Sequence, residues 1–128
     1  MDLPSHILEL AETDSLDATS FLLWCDQTGL SALSASDSLA QQIGLDYLAG
    51  RLDYDYCDRV MNSVMTVVTS PAFFAVSDSS VPKLTLDVYL AFDAGEYVHP
   101  KDNPGENPES KYTRPMLHSL LVPTDAAR

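Results

Sequence analysis

Cys57-Asp58-Arg59-Val60-Met61-Asn62-Ser63-Val64-Met65-Thr66-Val67-Val68 is the stretch that decides the fold. Cys57, Val60, Met61, Val64, Met65 and Val68 fall at i, i+3, i+4, i+7, i+8 and i+11, the spacing of a helix with one face turned to a core. Asp53 ahead of the run supplies an N-cap. Pro71 behind it pushes the preceding residue away from helical angles and so closes the helix. Met65-Thr66-Val67-Val68-Thr69 is β-branched and is where a strand competes, but the unbroken period favours helix.

Toward the N-terminus the same reading gives three more helices. One covers about residues 4–12, opened by Pro4 and carrying Ile7, Leu8 and Leu10. A second runs from about Leu16 to Thr28, capped by Asp14 or Ser15 and ended by Gly29. Its Phe21-Leu22-Leu23-Trp24-Cys25 run is apolar nearly all round, which predicts a central, well-covered helix. Residues 30–36 are serine-rich and read as a linker, because serine hydroxyls compete for the local backbone. A third helix follows, capped by Ser36 or Asp37, with Leu39/Ala40, Ile43/Gly44 and Tyr47/Leu48 on one side and Gly50 as its stop.

Toward the C-terminus, residues 71–82 read as a loop anchored by Phe73 and Phe74. A helix over about 83–94 places Leu84, Val88, Ala91 and Phe92 on one face. Residues 98–110 hold three prolines, a glycine and two asparagines and read as a long loop. A last helix near 111–121 carries Met116, Leu117, Leu120 and Leu121, with Pro115 tolerated only in its first turn. The tail over 123–128 is expected to be mobile. The expected fold is all-α: a single compact domain of about five to six helices with one long Pro/Asn-rich loop before the last.

Composition agrees with a folded domain, since 45% hydrophobic and 20% charged residues lie near globular averages. Charge is the unusual feature. Nineteen acids against seven Lys and Arg give −12, and residues 1–50 hold eight acids with no Lys or Arg. Such a field repels phosphate backbones and anionic lipid and speeds encounter with a basic partner by roughly 10- to 1000-fold at low salt. Direct nucleic-acid and membrane binding are therefore not expected. Cys25 and Cys57 sit in apolar helical patterns and read as ordinary buried thiols of a reducing compartment. Met1-Asp2-Leu3-Pro4 lacks the basic segment and apolar run of a secretory signal, so a cytoplasmic location is expected.

Catalytic signatures are absent: there is no glycine-rich phosphate loop, no Gly-x-Ser-x-Gly, no Cys-x-x-Cys and no His pair four apart. His6, His99 and His118 fall in three segments and do not form a metal motif. Oxygen donors abound over residues 102–109, but their spacing departs from the EF-hand loop and turn chemistry explains Asn and Asp before Pro. Neither a cofactor nor a metal is expected.

The informative acids stand at the wrong ends of helices. A helix C-terminus carries partial negative charge, so an acid there costs roughly 0.3–1 kcal/mol. Yet Asp26 lies just before Gly29, Asp46 just before Gly50, and Asp93 and Glu96 flank Gly95. Residues placed against a local rule mark functional positions, unless Arg51, Arg59 or Arg114 neutralise them internally. Asp55 and Asp58, beside Tyr54 and Tyr56, form a second acid and tyrosine edge suited to holding Arg or Lys. Asp93, Glu96, Tyr97, Asp55, Asp58, Tyr54, Asp46 and Asp26 are the expected partner-binding residues.

Val88-Tyr89-Leu90-Ala91-Phe92-Asp93-Ala94-Gly95-Glu96-Tyr97, with Lys111-Tyr112-Thr113-Arg114-Pro115, resembles small acidic bacterial immunity proteins that neutralise delivered toxins. The resemblance implies a protein without enzymatic activity that binds a nuclease or other toxin domain. The expected function is thus a non-catalytic binding protein for a basic partner. A nucleic-acid mimic and a small enzyme with a carboxylate site are the rivals.

Overall fold

A computed structural model describes residues 3–123. Those residues are all-helical, as expected, with no strand, and their seven α-helices exceed the five to six expected. In chain order they are α1 (Ser5–Glu12), α2 (Ala18–Gln27), α3 (Ala32–Leu48), α4 (Tyr54–Val68), α5 (Pro71–Ser77), α6 (Lys83–Ala94) and α7 (Arg114–Leu121), the last preceded by a π-helical turn at Glu109–Thr113. The tail beyond Pro123 lies outside the described residues.

α3, α4 and α6 form the centre, with α1 against α4, α7 against α3 and α6, and α2 and α5 at the other end of α3. α4 follows its period at most positions: Asp53 accepts from the Tyr56 amide, and Cys57, Val60, Met61, Val64 and Val68 are buried, while Met65 is only half-buried and Val67 is buried as well. α6 matches its predicted range and buries Val88, Ala91 and Phe92. Gly29 and Gly50 take positive φ and stop α2 and α3. Pro115 falls in the first turn of α7.

Four expectations are corrected. The serine-rich stretch 30–36 is largely helix. Ser31 caps α3 by accepting from the Ser34 amide, and the Ser36 hydroxyl donates to the Ala32 carbonyl inside the first turns. The serines there are satisfied by the helix itself, so they do not break it. Asp37 accordingly caps another element. It accepts from both the amide and the hydroxyl of Thr85 at 2.9 Å, capping α6, whose own Pro82 offers no side-chain cap.

Residues 71–77 also form a helix. Ser70 caps it, Pro71 takes the first turn where a missing N–H is harmless, and Asp78 closes it at φ 57°. Phe73 is buried against Phe21. In α7, Leu117 and Leu121 are buried while Met116 and Leu120 remain exposed. The close approach of α7 to α3 explains the choice, because Gly44 leaves the space that Leu117 and Leu121 fill; a Cβ at 44 would meet Leu121 Cδ1 at 2.4 Å.

The fourth correction concerns α2, which is peripheral. It packs against α1, α3, α4 and α5, burying Phe21 and Cys25 and half-burying Leu22 and Trp24, but leaves Leu23 58% exposed.

Candidate functional site

Two helix ends build the site. α4 opens with Asp53 as cap and projects Asp55 and Asp58 from its first turns, while α6 closes with Asp93 and runs through Gly95 into Glu96. Tyr54 ties them together. Its hydroxyl donates to the Phe92 carbonyl, and its ring lies 5.9 Å from Phe92 and 6.4 Å from Tyr47. Gly95 permits this approach, since a Cβ there would sit 2.2 Å from Thr113 Oγ1 and 3.0 Å from the Tyr54 ring. The Thr113 hydroxyl donates to the Ala91 carbonyl at 2.7 Å and locks the π turn onto the same end of α6.

Asp55, Asp58, Asp93 and Glu96 thereby come together. Asp58 registers the crowding: its carboxyl is pushed from the ordinary 3.8 up to about 7, first by burial, then by a hydrogen bond with Glu96 and by the charges of Glu96, Asp93 and Asp55. The charges of Asp58, Glu96 and Asp93 push Tyr54 and Tyr89 upward, again after burial. Like charges at close range suppress ionisation, so the neighbouring carboxylates hold the proton on Asp58 more tightly than an isolated carboxyl would.

Cations lie elsewhere. Among the described residues, ion pairs join Arg51 to Asp46, Arg59 to Glu12, Lys83 to Asp87, and Lys111 to Asp102 and Glu106. None reaches Asp55, Asp58, Asp93 or Glu96. Arg114 sits over the Tyr47 ring at 4.9 Å. Internal neutralisation therefore holds for Asp46, which also accepts from Gln42 and is 13% exposed, but for no other acid singled out by the helix-end rule. Asp26 is exposed on α2, apart from the cluster.

Flanking the cluster are aromatic side chains that sequence reasoning only partly found. Tyr97, 52% exposed, stacks on His99 at 4.3 Å, and His99 packs on Tyr112 at 4.1 Å. The long loop is held by Asp102, which accepts from Lys111, Tyr112 and the His99 amide. Lys111 holds the Asp102 carboxyl below the ordinary range. The loop oxygens at Asp102 and Glu106 are thus engaged by an ammonium group.

On the other side of Tyr54 a cleft of about 500 Å³ is lined by Tyr47, Leu52, Tyr54, Asp55, Glu109 and Arg114. The Tyr47 hydroxyl donates to Glu109. Tyr47 was legible as part of the α3 stripe but its hydroxyl's task was not, and Glu109 lies in a segment without periodicity, so nothing local marks it. Comparison with protein-family models, curated proteins and solved structures finds no match.

Proposed function

We propose that this chain is a non-catalytic acidic binding protein of the cytoplasm, and that the Asp55/Asp58/Asp93/Glu96 cluster takes up Lys or Arg side chains of a basic protein. The observation that carries the reading is a group of four carboxylates that pair with no Lys or Arg among the described residues, beside Tyr54 and the exposed Tyr97. An internally repelling cluster is relieved when a partner supplies positive charge. The gain exists only in the complex, which is how a charged patch confers specificity. Tyr97 offers an aromatic anchor at the rim, the residue type enriched at binding hot spots. The resemblance to immunity proteins directs the choice of partner to a basic toxin domain, for example a nuclease.

The test is affinity capture from the native cell with the parent chain and with Asp93→Asn/Glu96→Gln. The parent should retain one basic protein at 1:1 stoichiometry, released as salt rises, and the double variant should lose it. Capture that is indifferent to both salt and the double substitution overturns the reading. Retention of several unrelated DNA-binding proteins would point to nucleic-acid mimicry instead. The raised Asp58 also favours a small enzyme with a general acid, since displaced carboxyl pKa values mark acid–base sites. Asp58 does not line the cleft, however, so the group tuned for proton transfer stands outside the concavity a substrate would enter.

A further inference from the structure

α2 presents a mismatch between sequence and burial. Its apolar residues run nearly all round, which in a globular protein calls for cover on every side, yet Leu23 is left exposed. Val76 of α5 at 61% and Leu23 of α2 at 58% are the two most exposed large apolar side chains among the described residues, and they line the same groove. Leu30, 44% exposed, lines it as well, with Leu22 and Ala32 beneath and Asp26 on the rim. The groove measures about 490 Å³, room for several side chains of a docked segment.

Charge selects the occupant. Asp26 stands in the last turn of α2, where the helix dipole opposes it, and no Lys or Arg among the described residues pairs with it. The first fifty residues, which supply Leu22, Leu23, Asp26, Leu30 and Ala32, carry eight acids and no Lys or Arg. A second copy of this chain would bring a further −12 and a second Asp26 to the same place. A cationic amphipathic helix matches instead: apolar residues at i, i+3, i+4 fill the groove and a Lys or Arg at its edge meets Asp26. We propose that the groove between α2 and α5 docks a basic amphipathic helix of a partner protein, a second contact surface separate from the carboxylate cluster.

Binding is read by isothermal titration calorimetry on the Asp93→Asn/Glu96→Gln variant, so that the carboxylate cluster takes up none of the probe's charge. The probe is a short helical peptide of leucine and lysine, with a leucine and glutamate peptide of the same apolar pattern as control. The lysine peptide should bind that variant saturably at 1:1. Leu23→Asp/Val76→Asp should weaken it at least about tenfold, and Asp26→Asn by several-fold with a shallower salt dependence. Both apolar positions are exposed, so the double variant should keep the parent's circular dichroism. The parent should show the same groove-dependent losses on top of any uptake of lysines by the carboxylate cluster, so failure of that cluster as a site leaves this result intact. Equal binding of both peptides, equal binding by the groove variants, or a parent dimer that Leu23→Asp dissociates would each overturn the proposal.

Discussion

Asp58 gathers the electrostatics of the site into one side chain. Its folded pKa of about 7 lies above the ordinary 3.8, so the folded state holds the proton more tightly than the unfolded chain. Below about pH 4 both states are protonated and nothing is lost. Between about 4 and 7 the unfolded chain releases its proton while the folded one keeps it, so stability falls as pH rises, then levels off. Asp58→Asn should remove that slope and stabilise the fold by about 1–2 kcal/mol at pH 8, allowing for solvent screening of a half-exposed group, as read by urea unfolding at pH 5 and pH 8. Gly95 sets the geometry on which this depends. Gly95→Ala must displace Thr113 or the Tyr54 ring and should cost about 1–3 kcal/mol in the same assay. The helix-end rule picked out Asp93 and Glu96, and the acid and tyrosine edge picked out Asp55 and Asp58. Their meeting was not legible, because it requires the start of α4 to lie against the end of α6 across thirty-eight residues, the separation that Tyr54 bridges to Phe92.

Helices were legible where period and punctuation agreed. α4 and α6 have both, and their ranges follow from the residues alone. α5 was missed because seven residues, Pro71–Ser77, are too few to show a period, and the cap at Ser70 and the proline in the first turn were the only signals. The start of α3 was placed late because serine's preference for caps was applied to Ser36 when Ser31 held the cap. Asp37 shows the remaining limit: a cap supplied from another helix leaves no local trace in the sequence of α6. Asp37→Ala should cost about 1–2 kcal/mol and selectively speed amide hydrogen exchange in the first turn of α6, though the substitution lies in α3. Equal loss of protection along both helices would show that Asp37 acts on α3 itself. Lys111→Met should leave Asp102 and Glu106 without their cation and loosen the loop they brace, seen as faster exchange of the His99 and Asn103 amides.

Across the described residues, seven α-helices enclose one core and leave a carboxylate cluster and an apolar groove on separate helices. Carboxylates that no Lys or Arg pairs with among the described residues collect where α4 begins and α6 ends, and the exposed Leu23, Leu30 and Val76 line the groove between α2 and α5. Composition foretold the acidity but not this division, which follows from which helix faces the core claims. A surplus of repulsion implies that screening should stabilise the isolated protein: raising sodium chloride from low concentration to 1 M should raise Tm by about 3–6 °C, worth about 1 kcal/mol. The central claim, that the four carboxylates form a vacant seat for cationic side chains, is tested most directly by carbon NMR titration of the Asp58 carboxyl with and without an arginine-rich peptide. The account predicts a midpoint near 7 for the free protein and a downward displacement with proton release when the peptide is added. An ordinary carboxylate midpoint, or a raised one that the peptide leaves in place, would contradict it.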